Sequence, residues 1–416
     1  MAPNSSKHKS QTESDGRRKL SLDSYLRSAL NRFVKGATTG FAIYSVVTVV
    51  KAILQKRLAQ SPGQVLKDVF SIDSLRFTLF LGSLPAVYKL ALYYVHSHRK
   101  QTTGANYVIA SAIAALTCLI ENAERRSIIA VFLSSRAIGA LYNALVKREK
   151  IPPIKYDVPI AFGAATSIIV YGLTLNPKVL SDGYYKTALA WSRDYTEEMM
   201  DNVFRKPGSF HIPCDPWMHQ GRSCLGHGIR ELVASWLPYS RVYMPIHVIP
   251  FLLFRRKALL KRPSEELMSL LIKVCRSATF LCVMCTTIKT LICMLRNHVD
   301  PRPPPLPAYI PLIAGFIGAF LGVQFEIPSR QSEMALYFSP SALNAVYLIG
   351  RDKKVIPTLP FGSVILFVSF MAVIMHSYER DEDSLSPMIH KAVKLLFGEP
   401  EKSKQEPDDS EKQNEG

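Results

Sequence analysis

Acidic residues are scarce in this chain. Its 33 Asp and Glu stand against 51 Lys and Arg, leaving a net charge of +18 over 416 residues. Common enzyme signatures are missing as well. There is no phosphate-binding glycine loop, no His-x-x-x-His pair, no Gly-x-Ser-x-Gly elbow and no His-Glu-x-x-His helix, so those chemistries have no anchor. Met1 to Lys35 has no apolar core, which argues against a cleaved signal peptide. Its eight Lys and Arg are interrupted by Glu13, Asp15 and Asp23, which argues against a mitochondrial presequence. Gln413, Asn414, Glu415 and Gly416 match neither the peroxisomal nor the endoplasmic-reticulum retrieval signal.

Hydrophobic residues make up 48% of the chain and charged residues 20%, for a mean hydropathy of +0.09. That value is too low for bilayer spans alone and suits spans alternating with basic loops. The Lys and Arg flank apolar runs, so anionic headgroups of membrane lipids are the expected partner and nucleic acid is not. Of the seven cysteines, Cys275, Cys282, Cys285 and Cys293 share one apolar stretch. There they read as small buried hydrophobes in a protein facing reducing compartments.

With no water in the hydrocarbon core, a spanning segment here must be a helix. Four uncharged stretches are clear candidates: Gln101 to Ile120, Val158 to Pro177, Pro303 to Phe325 and Val355 to Tyr378. Six more are shorter or carry charge: Gly36 to Leu54, Leu75 to Tyr94, Ser127 to Leu145, Val242 to Phe254, Ser277 to Leu295 and Met334 to Ile349. The expected fold is therefore an all-α polytopic membrane protein with about five short helical spans in each half.

The halves resemble one another. A displacement of 205 places Glu121 on Glu326, Arg125 on Arg330, Ala137 on Ala342, Tyr142 on Tyr347 and Ile151-Pro152 on Ile356-Pro357. A displacement of 200 places Lys89 on Lys289. Five spans per half, an odd number, would make the halves inverted repeats. The expected organisation is a basic disordered tail (1–35), a first transmembrane repeat (36–190), a Cys/His/Trp-containing linker loop (191–235), a second repeat (236–397) and an acidic disordered tail (398–416).

Three groups of residues carry candidate chemistry. His211, Cys214, His219, Cys224 and His227 lie in one loop and contain donors that zinc accepts. A Cys214–Cys224 disulfide or plain packing fits the same residues, and no cofactor is assigned. Lys89 and Lys289 fall inside apolar segments, with Glu121 and Glu326 as candidate partners in a polar cavity. Snorkelling to the headgroups is the competing reading for both lysines. Arg255, Arg256, Lys257, Lys261 and Arg262 form a basic cluster beside a span, suited to anionic lipid. The cluster also suits a peroxisomal import receptor that reads such sequences.

Longer motifs add a resemblance. Cys214-Asp215-Pro216-Trp217 and Ser223-Cys224 are followed by Tyr243-Met244-Pro245-Ile246-His247 and the basic turn. Ile313 to Phe316 and Tyr337 to Ala342 come later, and Gly36 to Tyr44, Leu81-Gly82-Ser83 and Val87-Tyr88-Lys89 match in the first half. Together these resemble the transmembrane protein 135 family, also described as a peroxisomal membrane protein. That family is distantly similar to the mitochondrial inner-membrane translocase channel family, whose Gly-x-x-x-Gly helix finds counterparts at Gly36/Gly40 and Gly318/Gly322. The resemblance implies a non-enzymatic integral membrane protein of peroxisomes or mitochondria supporting lipid metabolism and organelle dynamics. A channel or transporter for a small molecule or lipid is the alternative.

Overall fold

Backbone amides inside a bilayer have no water to bond, so each segment must satisfy its own hydrogen bonds. The structure, a computed structural model, describes residues 22–54, 57–99, 103–193, 195–254, 259, 261–357 and 360–400, and among these there is no strand. Among the described residues, twelve α-helices have eleven or more residues. They are α1 (Leu22–Leu54), α2 (Ile72–Arg99), α3 (Gly104–Ala115), α4 (Ala123–Lys147), α5 (Asp157–Leu175) and α6 (Asp182–Ser192). The others are α7 (Cys224–Phe254), α8 (Pro263–Met294), α9 (Tyr309–Val323), α10 (Pro328–Asp352), α11 (Gly362–Arg380) and α12 (Pro387–Phe397).

The protein is an all-α polytopic membrane protein. Among the described residues, six helical stretches are long and apolar enough to cross a bilayer, and Gly104–Ile120 and Tyr309–Val323 are shorter apolar helices. All ten expected segments fall on helices, although α7 and α10 are outside the six. Charged Arg330, Glu333, Arg351 and Asp352 keep α10 polar at both ends. Outward-facing Leu30 (64% exposed), Val46 (62%) and Val233 (75%) would be liabilities in water and suit a lipid surface.

Several expected boundaries need correction. Residues 22–35, assigned to a disordered tail, form the start of α1. Tyr25, Ala29 and Phe33 recur there at helical spacing, and Ala29 is buried. The linker is also shorter than expected. α6 reaches Ser192, Glu197–Met200 adds a short helix, and α7 starts at Cys224, which confines the irregular connection to about residues 206–223. Residues 1–21 and 401–416 lie outside the described residues.

Matching elements recur 205 positions apart. α4 and α10 are both 25 residues long, α5 and α11 both 19, and α6 and α12 both 11, with starts in exact register. The residues before α5 and α11, Tyr156 and Phe361, both take left-handed backbone, at φ 63° and 57°.

The chain forms two compact units, and they are not the two sequence halves. Of the described residues, those within 22–122, 378–380 and 390–400 make up unit 1, and those within 123–377 and 381–389 make up unit 2. Helices α1–α3 thus share unit 1 with the last turn of α11 and most of α12. Helices α5 and α6 belong instead with α7–α9.

In unit 1, α1 and α2 meet through backbone. A Cβ at Gly36 would collide with the Leu81 carbonyl oxygen, and one at Gly82 would lie 3.0 Å from the Phe33 oxygen. Tyr88 donates to Glu379 Oε1 at 3.0 Å, and Phe397 meets its ring edge-on at 5.3 Å. In unit 2, α9 lies between α8 and α5. A Cβ on Gly322 would meet Met284 Cβ at 2.7 Å, and one on Gly315 would meet Ser167 Cα at 2.8 Å. Phe162, Phe280 and Phe338 centre the core, with ring centroids 5.8 Å and 5.0 Å apart around Phe162.

Small residues let membrane helices approach, so bulk at these points must push them apart. Gly322→Leu should lower stability by about 1–3 kcal/mol through overpacking. Gly63→Ala, in the short helix Pro62–Val69 where a Cβ meets nothing within 4 Å, should raise stability by up to about 1 kcal/mol through helix propensity. Thermal unfolding in detergent micelles checks both signs.

Candidate metal centre and apolar cavity

The irregular segment before α7 is drawn onto the end of α8. Arg296 donates to the Ile212 carbonyl, and His211 bonds Asn297 Oδ1 at 3.2 Å and the Arg302 carbonyl at 3.3 Å. Between these anchors four buried side chains converge: Cys214, His219, Cys224 and Cys293. Their sulfur and nitrogen atoms all lie within 4.8 Å of one another. Cys293 Sγ is 2.8 Å from Cys214 Sγ, 3.3 Å from Cys224 Sγ and 3.4 Å from His219 Nε2.

Asn297 Nδ2 sits 2.7 Å from Cys214 Sγ and 3.4 Å from Cys224 Sγ, aiming one amide at two sulfurs. The hydrogen bond from Cys293 lowers the pKa of the Cys214 thiol, with Arg296 and Asn297 acting in the same direction against burial. Of the five candidates in this loop, three enter the cluster. His211 is engaged elsewhere, and His227 stacks on His219 at 5.1 Å. Cys293 was missed because it lies in an apolar run with three other cysteines. Its proximity to Arg296 and Asn297 was the available signal.

One turn before Cys293, Lys289 points into unit 2. Its ammonium lies 3.1 Å from the Ser192 carbonyl and 3.3 Å from Glu231 Oε1. That carboxylate oxygen is also 3.2 Å from Arg193 Nη1, so one buried acid faces two cations. The negative end of α6 adds to the attraction, since Ser192 is its last residue. Snorkelling therefore does not describe Lys289, which is 7% exposed. Its carboxylate partner is Glu231 and not the expected Glu326.

Glu326 belongs to a separate network. Ser277 donates to its Oε2 at 2.9 Å, Arg330 reaches its Oε1 at 3.2 Å, and Arg330 also approaches His247 Nε2 at 2.8 Å. Lys89 and Glu121 lie in unit 1, both buried, with Lys89 Nζ 6.0 Å from the Tyr88 ring centroid. Lys261 and Arg262 are exposed, with Arg262 3.5 Å from Glu265. Arg255, Arg256 and Lys257 lie outside the described residues.

Lys289 borders a cavity of about 410 Å³ formed by α5, α6, α8 and α10. Ile169, Leu173, Trp191, Ile288 and Phe338 supply apolar wall, and Lys289 alone among the lining residues carries a charge. Thr166 adds a buried hydroxyl with no hydrogen-bond partner among the described residues. Such an arrangement can receive an apolar body whose polar end accepts hydrogen bonds.

Glu231→Leu should destabilise the fold by about 3 kcal/mol or more, because it removes the acid that faces the buried Lys289 ammonium. Glu231→Leu combined with Lys289→Leu should recover much of that loss, since the cation that then remains, Arg193, is partly exposed to solvent. Chemical denaturation of both variants in detergent decides the sign of the coupling. No family model and no solved structure matches this chain.

Proposed function

We propose that this protein holds an amphipathic, lipid-like molecule in the cavity of unit 2 and supports lipid handling in a peroxisomal or mitochondrial membrane without catalysing a reaction. The cavity itself carries the ligand reading. Its volume of about 410 Å³ lies within the roughly 300–1,000 Å³ typical of small-molecule sites. An acyl or ring-rich body suits the walls. An anionic or acceptor-bearing head suits Lys289, whose neighbourhood contains two cations and one carboxylate.

The organelle and the link to organelle dynamics are supported by the resemblance to the transmembrane protein 135 family. Equal helix lengths and the repeated left-handed residues support descent from a tandem duplication. The same duplication supports a transporter as the second reading, in which the cavity would be a stop along a path.

A brominated fatty acid tests the ligand. In a Trp217→Phe, Trp236→Phe background, Trp191 is the sole tryptophan, and bromine seated in the cavity should quench it by half or more. Gly183→Leu, at an exposed lining residue, should narrow the cavity and reduce quenching without harming α6, because a Cβ at Gly183 meets nothing within 4 Å. Absence of quenching in the parent would remove the ligand reading. Ligand flux across reconstituted vesicles would favour transport instead.

A second prediction concerns address and membrane contact. Changing Arg255, Arg256, Lys257, Lys261 and Arg262 to Gln should weaken retention at the organelle while leaving membrane insertion intact. Imaging a tagged copy against peroxisomal and mitochondrial markers measures this, and unchanged localisation would exclude the cluster as the address.

A further inference from the structure

The four convergent side chains before α7 and at the end of α8 are independent of the ligand cavity's proposed use. We propose that Cys214, His219, Cys224 and Cys293 form a structural zinc site that clamps the 206–223 crossover and the start of α7 to the end of α8. Three cysteines and one histidine are an established donor set for closed, four-coordinate zinc.

The distances fit one ion. Zn–S bonds of about 2.3 Å and Zn–N bonds of about 2.0–2.1 Å, arranged tetrahedrally, put donor atoms roughly 3.5–3.8 Å apart. The observed separations, 2.8 Å, 3.3 Å and 3.4 Å from Cys293 and none above 4.8 Å, bracket that spacing, and Cys214 and Cys293 would part by about 1 Å to admit the ion. A cluster of several iron and sulfide atoms would need them farther apart. A disulfide accounts for the arrangement less well. Cys293 approaches both Cys214 and Cys224, so pairing it with either would leave the other thiol and the His219 imidazole without a role.

The surroundings anticipate thiolates. Asn297 directs its amide at two of the sulfurs, the kind of outer-shell donor that orients metal ligands. On binding, the three thiols release their protons, and the dication with three thiolates carries a net charge of −1. The buried Arg296 guanidinium, held by the Ile212 carbonyl, offsets that charge from beside Cys214. All four positions are filled by protein, leaving no open site for a reacting water, so the role is structural. Soft sulfur donors with one imidazole favour zinc over the hard cations.

The clamp also bears on unit 2 as a whole. Cys214, Cys224 and Cys293 pack in one core with Met200, Phe204 and Ile292. Ile292 and Met200 line the cavity, and Lys289 is one helical turn from Cys293.

Metal analysis of the full-length protein, purified in detergent without chelator, should find close to one zinc per chain. Cobalt substitution should give the absorption of tetrahedral cobalt bound to thiolate. Cys214→Ser, Cys224→Ser and Cys293→Ser should each reduce zinc at least tenfold, while His211→Ala and His227→Ala should retain it. Because the serine variants can misfold, wild-type protein is also treated with a strong chelator. Zinc loss should then expose the 206–223 segment to protease. Metal-free wild-type protein, a disulfide in the thiol count, stoichiometric iron or copper, or full zinc retention by Cys293→Ser would each overturn the assignment.

Discussion

The backbone-to-backbone seating of α9 sets the geometry of unit 2. Gly318 and Gly322 lie against Met284 and Ile288 of α8, while Gly315 lies against Ser167 and Val170 of α5. Membrane helices gain nothing from burying apolar surface against one another, because lipid is equally apolar, and they associate through close packing. A helix with small residues on two faces can therefore hold two neighbours at once. α5 and α8 are spaced by α9, and the cavity lies where Ile169 and Leu173 of α5 and Ile288 and Ile292 of α8 line the same space.

Charge within unit 2 is arranged by the same packing. A lone ammonium in hydrocarbon is expensive, and Lys289 avoids that cost with a carboxylate from α7 and a carbonyl from the end of α6. Glu231 is in turn shared with Arg193, which leaves the group one positive charge in excess. Glu326 is compensated separately by Arg330 and Ser277. Of these two carboxylate-centred groups, only the one at Lys289 borders the cavity.

How much of the site was legible varies by residue. Lys289 stood out because a charge inside an apolar run has few explanations. Glu231 did not, since it sits beside Arg230 near the polar start of α7, and nothing local says which partner it meets. Cys214, His219 and Cys224 were legible as metal donors because they share one short segment. Cys293 is 69 residues beyond Cys224 in a stretch where thiols pass for small hydrophobes, and only folding brings it to the others. The placement of α1 was similarly obscured, because its first turns carry enough Arg and Lys to resemble a tail.

By itself the sequence determined the helical class, the membrane environment and the places where helices occur. Hydropathy and spacing of three and four residues are local properties, and the bilayer admits no competing backbone arrangement for long apolar runs. The 205-residue correspondence also required only the order of residues. Tertiary structure decided which helices share a unit: α5 and α6 belong with α7–α9, while the last turn of α11 and most of α12 belong with α1–α3. It likewise decided that Lys289 meets Glu231 and that Cys293 completes the four-residue cluster. These choices rest on glycine-mediated approach between helices distant in sequence, and no pattern within a single helix specifies the neighbour that will fit it.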